Sequence, residues 1–358
     1  MNLTYGVDLA GLAVAVGLFF CFIPVLTRSE LFFAVTVPSA FHATAEGRGI
    51  LAAFRLEVLV HTVIAAAGAL AIARWGSTVA APLMLLWLLL GSLHAFLRAL
   101  HLTQAHAVTP SSLQEASLEP RDPLPGGWFL QIGPFLLIAI AALTLTREWA
   151  RLPERLPVRW SWQGRPSGWA ARTPGFLAFQ LVLSAALCAL FAYIAWLVAR
   201  RSRVIHLHGP AGGSERQFRR IVMTLLLMIE YVLAVSFSGV LLLPLLGASG
   251  HVLVLAMPTF ALAITVGAIL MLIRIGQGGS RVAYAGTPGG APVGDRTLDE
   301  HWKLGIFYFN PGDPALLVEK RFGLGYTFNF GHPAGWIIFG AGVVAFLIGV
   351  GHRFHRLL

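Results

Sequence analysis

Long apolar runs separated by short polar segments dominate the pattern of this chain. Eight of the runs are long enough to cross about 30 Å of hydrocarbon as helices that rise about 1.5 Å per residue. The pattern therefore predicts an all-α polytopic membrane protein with about eight transmembrane helices. The predicted spans lie near residues 8–27, 54–74, 78–100, 128–146, 175–199, 221–245, 252–274 and 335–351.

The apolar pattern is interrupted before the last predicted span by a segment with three strand-like runs, at residues 302–309, 315–321 and 326–330. Pro311 lies in the first connection and Gly323 in the second, and both are typical turn residues. This segment predicts a small three-stranded β-meander before the last helix.

These elements divide the chain into five predicted regions. A Gly- and Pro-rich stretch separates the membrane regions from the meander, and such a composition favours a flexible tether. The regions are an N-terminal membrane region of three spans with a polar connector (1–127), a second membrane region of four spans with a polar loop at 147–173 (128–275), the flexible linker (276–298), the β-meander (299–334), and the last span with a basic tail (335–358).

The composition agrees with a membrane protein. The chain has 358 residues, of which 57% are hydrophobic and 12% are charged, and this is too little charge for a soluble surface. Cys21 and Cys188 both fall inside predicted spans, so neither a disulfide framework nor a cysteine zinc site is expected. The net charge of +10 favours anionic lipid headgroups as partners. Nucleic acid is not an expected partner.

Basic residues on the loops predict the orientation of the chain. Most of the 26 Lys and Arg residues fall on loops that share one side, which is the inside if the N-terminus is outside. We therefore expect both termini outside, together with the loop at 147–173. No Lys or Arg precedes the first span, so we expect this span to be retained rather than cleaved as a signal peptide.

The polar loop between the fourth and fifth predicted spans has a pattern of its own. Val158, Trp160 and Trp162 alternate with polar residues, which predicts a short two-faced strand followed by a turn. Tryptophan rings favour the boundary between membrane and water. Aromatic and Arg side chains together are also typical of a surface that binds a peptide or protein partner, and both interpretations remain open. The candidate binding residues are Arg159, Trp160, Trp162, Gln163, Arg165 and Trp169.

Residues 152–169 carry the pattern L-P-x-x-(I/L)-P-V-x-W-x-x-x-G-x-P-x-G-W. This pattern resembles the short motif of the sporulation-delay immunity (SdpI) family of bacterial membrane proteins. Members of that family protect the cell from a toxic peptide and can hold a repressor at the membrane. The resemblance implies that the loop faces outward and that the protein is not an enzyme. Family members more often have His and Asn at the positions of Arg159 and Ser161, so the resemblance implies placement rather than shared chemistry.

The C-terminal polar segment has a resemblance of its own. Residues 299–336 carry the patterns D-x-x-W-K-x-G-x-x-Y-x-N-P-x-D-P and V-E-K-R-x-G-x-G-Y-T-x-N-F. They are similar to a second small domain of unknown function that often follows the first one in larger members of the same group. This resemblance implies no assigned chemistry.

Ionisable side chains also lie within predicted spans, where each costs about 2.5–3.5 kcal/mol on insertion scales. Three interpretations remain open: polar contacts between helices such as a Glu57–Arg98 ion pair, a proton or ion path, and a divalent metal or catalytic site. The residues are Glu57 and His61 in the second span, His94, Arg98 and His101 on one face of the third, and Glu230 near the middle of the sixth.

The sequence favours a binding protein over an enzyme. It contains no H-E-x-x-H signature, no G-x-S-x-G elbow and no phosphate-binding P-loop, and no cofactor is expected. We expect a non-enzymatic, multi-pass plasma-membrane protein that binds a peptide at the Trp/Arg loop, with a soluble regulatory protein as a further partner. The alternative is an intramembrane metal-dependent enzyme, or a proton- or ion-coupled transporter, that uses the polar faces of the second, third and sixth spans.

Overall fold

The architecture is given by a computed structural model. It describes most of the helical chain and the polar segments that join the helices. The described residues are 3–74, 80–110, 122–160, 165–202, 209–247, 259, 263, 264, 266, 267, 270, 271, 273–280, 295 and 297–340.

Six long helices make up most of the described chain. Each one contains a segment that is long and apolar enough to cross a membrane, so the protein is a helical, multi-pass membrane protein. The six correspond to the first six predicted spans, whereas the predicted spans near 252–274 and 335–351 fall largely outside the described residues. The helices are α1 (Leu3–Leu26), α2 (Ala45–Arg74), α3 (Ala80–Gln104), α4 (Gly127–Arg147), α5 (Pro174–Arg201) and α6 (Gly209–Leu246).

The described strands form four separate two-stranded antiparallel sheets. All of them are short, and all lie in the polar segments outside the six long helices. The pairs are β1 (Leu31–Phe32) with β2 (Val35–Thr36), β3 (Arg155–Trp160) with β4 (Pro166–Ala171), β5 (Trp302–Lys303) with β6 (Phe307–Tyr308), and β7 (Leu317–Glu319) with β8 (Tyr326–Phe328).

The chain divides into two compact units. Unit 1 comprises Met1–Ser117, Ser202–Glu215 and Ile275–Leu358. Unit 2 comprises Leu118–Arg201 and Arg216–Arg274. The C-terminal polar segment therefore belongs to the same unit as the first three helices.

The helices of unit 1 pack closely where small residues allow it. A Cβ atom added at Gly17 in α1 would lie 1.9 Å from Oγ1 of Thr62 in α2, so only glycine permits this approach. Close packing of small residues is the usual basis of helix association in membranes, because lipid tails are as apolar as the side chains. A hairpin, β1–β2, follows α1 and returns the chain toward α2.

Aromatic side chains from both ends of unit 1 form one core. Phe33 of the β1–β2 turn contacts Phe54 of α2 at a ring-centroid distance of 4.9 Å and Phe322 at 5.9 Å. Phe322 also lies 4.2 Å from Phe96 of α3. Residue 322 is thus far from these helices in sequence but is packed onto their ends.

We name residues 297–336 the cap, because they cover the β1–β2 hairpin and the end of α3. The cap contains two hairpins in place of the predicted three-stranded meander. The first predicted strand is split by a turn at Leu304 and Gly305, which have φ angles of 52° and 71°. The two hairpins meet through an isolated parallel bridge between Tyr308 and Asn329.

Asn329 holds the two halves of the cap together. It is fully buried, and its side-chain oxygen accepts hydrogen bonds from the backbone N–H groups of Asn310 and Gly331. Its side-chain nitrogen donates to the carbonyl oxygens of Asn310, Asp313 and Ala315. One amide therefore satisfies backbone groups of the 310–315 connection and of Gly331, which an apolar residue cannot do.

Buried charges join the cap to the rest of unit 1. The fully buried guanidinium of Arg321 donates two parallel hydrogen bonds to Asp295, at 3.0 and 2.8 Å. It also donates to the Ala34 carbonyl oxygen at 3.0 Å and to Asp299. Burial raises the pKa of Asp295, but the Arg321 charge outweighs burial and holds this pKa below its ordinary value.

A second buried ion pair lies beside the first. Arg28, which follows α1, donates to Glu319 of β7, and the side chains of both residues are 3% exposed. Burial disfavours the Arg28 cation, but the nearby Glu319 and Glu215 carboxylates hold its pKa above the ordinary range. Gly278 passes directly over the pair, since an added Cβ would lie 2.1 Å from Arg28 Nη2 and 2.2 Å from Glu319 Oε2.

Replacing Gly278 with Ala is expected to destabilise the protein more than replacing Gly247 with Ala. The two glycines have φ angles of 60° and 58°, so both variants carry a similar backbone strain of about 1–2 kcal/mol. Only Gly278→Ala forces a methyl group between Arg28 and Glu319, and breaking a buried ion pair costs about 3–5 kcal/mol. Thermal unfolding in detergent, followed by tryptophan fluorescence, measures the difference. Equal losses in the two variants would contradict this packing.

Candidate functional site

The Trp/Arg loop forms a hairpin, β3–β4, that is anchored on the helices of unit 2. Leu152 and Leu156 are 3% and 1% exposed and pack in a cluster with Leu145, Leu177 and Leu241. These three partners come from α4, α5 and α6. The base of the hairpin is therefore part of the helix core and is not a free connector.

Arg172 fixes the end of β4 to the segment that precedes β3. Its Nη1 donates to the carbonyl oxygens of Trp149 at 2.9 Å and Leu152 at 2.5 Å. Its guanidinium also lies 5.3 Å from the centre of the Trp149 ring, a cation–π distance. Arg172 is not among the residues predicted from the sequence, although an Arg just before an apolar span is a signal for a contact that anchors the preceding hairpin.

The predicted binding residues lie on β3, on β4 and in their connection. Trp169 in β4 is 56% exposed, and Arg165, just before β4, is also exposed. The backbones of Arg159 and Trp160 pair with Gly168 and Pro166 across the hairpin. The side chains of Arg159 and Trp160, and the whole of Trp162 and Gln163, lie outside the described residues.

The polar residues of α2 and α3 form one contact centred on Glu57. Its Oε1 lies 2.6 Å from His94 Nδ1, and its Oε2 accepts a hydrogen bond from Arg98 at 3.0 Å. The two helices thus bring together the Glu57 and Arg98 side chains that the sequence analysis paired. The side chain of Glu57 is 16% exposed, whereas those of His94 and Arg98 are 70% and 54% exposed.

The other two histidines do not enter this contact. The ring of His61 lies under Gly91 and meets the Trp87 ring edge-on at 5.6 Å. His101 is exposed near the end of α3. Among the described residues, no three or more His, Cys, Asp and Glu side chains are grouped so that they could hold a metal ion.

Glu230 in α6 is the one predicted intramembrane residue with a fully buried carboxyl group, and it belongs to unit 2. Neither carboxyl oxygen has a hydrogen-bond partner among the residues that the structure describes. The Cys188 thiol of α5 donates to the Glu230 backbone carbonyl at 3.4 Å, which fixes the level of α5 against α6. The apolar residues Ile138 and Ala234 pack in the same cluster as Cys188.

The charged cluster of the cap is the largest feature that the sequence analysis did not predict. The sequence does contain a signal for this cluster, because Glu319 and Arg321 lie among the apolar residues of β7 and of the segment directly after it. A strand with charges on a buried face requires charged partners from elsewhere. Those partners, Arg28 and Asp295, lie in regions that the sequence analysis treated as a loop and a flexible linker, so their pairing cannot be found from spacing along the chain.

The structure thus defines a helical, multi-pass membrane protein with a small polar cap. Residues 311–336 match a family of unknown function, DUF5808. This match confirms that the cap carries a domain of unknown function, and it covers residues 311–336 of the segment 299–336 for which that resemblance was noted. No curated protein and no solved structure matches the chain.

Replacing Arg172 with Met is expected to loosen hairpin β3–β4 while leaving the helices in place. The substitution removes two hydrogen bonds from a charged donor, each worth about 1.5–3 kcal/mol. Chymotrypsin cleavage at the hairpin should therefore accelerate by at least about tenfold, because cleavage follows the population of the opened form. Arg151→Met is the control, since Arg151 is exposed and pairs only with its neighbour Glu148 among the described contacts. Equal cleavage of both variants would show that Arg172 does not hold the hairpin.

Proposed function

We propose that this is a non-enzymatic integral membrane protein of the SdpI-like kind that binds a peptide through hairpin β3–β4. The proposal rests on one observation: the base of hairpin β3–β4 is anchored on the helices, and its outer part is exposed. Leu152, Leu156 and Arg172 tie the base to unit 2, while Trp169 and Arg165 remain exposed. A rigid hairpin loses little conformational freedom when it binds a partner.

The exposed residue types also support binding. Trp and Arg are enriched among the residues that dominate binding energies, because each offers a large contact area together with a polar group. Burying the Trp169 ring against lipid headgroups is the competing role for the same residue. A peptide that is itself membrane-active meets the hairpin in this boundary layer, so both contacts are available at one site.

The wider proposal follows the resemblance of residues 152–169. In it, the hairpin faces outward from the plasma membrane and the protein acts in immunity to a toxic peptide or in signalling. Membrane lipids surround the spans, and a soluble regulatory protein meets the cap on the inner side. The anchored hairpin and the DUF5808 match are compatible with this proposal, but the orientation of the chain rests on the distribution of Lys and Arg.

The second candidate function uses the polar faces of the second, third and sixth spans. It comprises an intramembrane metal-dependent enzyme or a proton- or ion-coupled transporter. Glu57 already contacts Arg98 and His94, which leaves Glu230 as the observation that favours transport. An unpaired carboxyl within a span is a typical element of proton and ion paths.

Trp169→Ala should abolish peptide-dependent protection while leaving the protein folded. The test is growth of a toxin-sensitive bacterium that expresses this chain and is exposed to a synthetic membrane-active peptide toxin of the class that SdpI-like proteins neutralise. Loss of a binding hot spot costs about 2 kcal/mol, which corresponds to roughly thirtyfold weaker binding. The wild-type chain is expected to protect the cells, and the variant is expected to protect them no better than an empty vector.

Trp128→Ala is the matched control. Trp128 is 76% exposed at the start of α4, so it shares the residue type and the unit but not the hairpin. It is expected to protect as well as the wild type. Equal loss in both variants would indicate general anchoring by tryptophan, and absence of protection by the wild type would contradict peptide immunity itself.

A further inference from the structure

The carboxyl group of Glu230 is buried in a way that a structural role does not explain. The side chain is fully buried, and in the described part of the chain neither carboxyl oxygen has a hydrogen-bond partner. A polar group buried in this way destabilises the fold, and an apolar residue of similar size would be more favourable. Polar residues that stabilise helix packing in membranes do so through a partner, as Glu57 does with Arg98.

The surroundings of Glu230 require that its carboxyl group be neutral when no ligand is bound. The helix α4 contributes the apolar residues Phe135, Leu137 and Ile138 to this cluster. The titratable group from α5 is the Cys188 thiol, and no described cation pairs with Glu230. An isolated carboxylate in so apolar a site takes up a proton instead of remaining charged.

Two further buried polar groups lie on one side of Glu230. The hydroxyl group of Ser238 has no hydrogen-bond partner among the described residues, and that of Ser184 lies next to the Cys188 thiol. Cys188 contacts Glu230, and Leu177 shares a cluster with Leu241, so α5 and α6 run antiparallel. Ser184 is therefore one turn from Cys188 toward the start of α5, and Ser238 is two turns from Glu230 toward the end of α6.

Because α5 and α6 are antiparallel, the start of α5 and the end of α6 lie on the same side of Glu230. Both serines lie between the level of Glu230 and the end of unit 2 that carries hairpin β3–β4, since β4 immediately precedes α5. Ser238 is about 12 Å from Glu230 along the helix axis, at about 1.5 Å per residue. Hydroxyl groups both donate and accept hydrogen bonds, so a chain of them with intervening water can pass a proton.

We propose that Glu230 is the proton-binding site of a proton path across the membrane, and that Ser184 and Ser238 connect it to the side of the hairpin. In the loading step, hydronium gives a proton to one carboxylate oxygen, so one O–H bond of hydronium breaks, one carboxyl O–H bond forms, and water is left. Discharge is the reverse: the carboxyl O–H bond breaks and the proton joins a water molecule as hydronium. The proposal is independent of peptide binding by the hairpin and gives the transport alternative a specific residue and a specific ligand.

Carbodiimide labelling of the detergent-solubilised full-length protein tests the first half of the proposal. Carbodiimides react with protonated carboxyl groups in apolar surroundings, and mass spectrometry identifies the labelled residue. Glu230 is expected to be labelled, with a yield that falls as the pH is raised. Glu57 serves as the control within the same molecule, because its carboxyl group is bound by Arg98 rather than isolated in apolar surroundings, and it should remain unlabelled.

Proton flux into liposomes tests the second half. The purified protein is reconstituted with a pH-sensitive dye inside the vesicles, and a valinomycin potassium gradient drives proton entry. The wild type and Glu57→Gln are expected to acidify the lumen faster than empty vesicles, and Glu230→Gln is expected to match empty vesicles. Ser184→Ala combined with Ser238→Ala is expected to acidify the lumen more slowly than the wild type. Thermal unfolding of Glu230→Gln should show a fold at least as stable as the wild type, which separates lost transport from lost structure.

Three results would overturn the proposal. The first is an absence of labelling at Glu230 at every pH. The second is labelling of Glu230 together with a wild-type flux equal to that of empty vesicles, which would make it a buried acid without transport. The third is protection of Glu230 from carbodiimide by sodium at constant pH, which would make the site a sodium site. Growth protection by the hairpin is unaffected by all three, so failure here is distinct from failure of peptide binding.

Discussion

The fold of unit 1 depends on the neutralisation of one fully buried cation, the guanidinium of Arg321. Five N–H donors in a rigid fork cannot be satisfied by one acceptor, so a buried Arg recruits several segments at once. Here it gathers Asp295, Asp299, the Thr297 carbonyl oxygen and the Ala34 carbonyl oxygen. Removing a single partner from such a cluster leaves an uncompensated charge, which makes the docking of the cap all-or-none.

Both units pair buried charges, but only unit 2 also buries a carboxyl group without a partner within a span, as far as the structure describes the chain. In unit 1, Arg28 and Arg321 are paired with carboxylates, and those pairs hold the cap on its aromatic core. In unit 2, Arg219 pairs with Asp122, whereas the carboxyl oxygens of Glu230 have no hydrogen-bond partner among the described residues. Pairing supplies structure, whereas an unpaired ionisable group is available for chemistry, so the second unit is the better candidate for a functional path.

The sequence was sufficient for local features and insufficient for distant pairings. Apolar runs predicted the six described helices, and the alternation around Val158 predicted an extended segment that is β3 of a hairpin. The contact of Glu57 with Arg98 was within reach because their helices are neighbours along the chain. The turn that splits the first predicted cap strand could not be predicted, because Leu304 is not a typical turn residue. Leu304 has a φ of 52° in the structure, and the Gly305 that follows it packs against Phe96 and Leu100. The pairing of Arg28 with Glu319 crosses almost the whole chain.

The most direct test of the role of Arg321 is a cysteine cross-link between residues 34 and 305. An ideal Cβ at Gly305 lies 2.9 Å from the Ala34 Cβ and 2.4 Å from Leu100 Cδ1, so a Cys pair reaches disulfide distance once the end of the flexible Leu100 side chain shifts. Ala34→Cys and Gly305→Cys would be combined with Cys21→Ser and Cys188→Ser, with Arg321 either retained or replaced by Met, and oxidised in native membranes. Ready cross-linking is expected when Arg321 is retained, and little cross-linking is expected when Met replaces it. Equal cross-linking in both proteins, or none in either, would contradict the claim that the buried cation holds the cap in place.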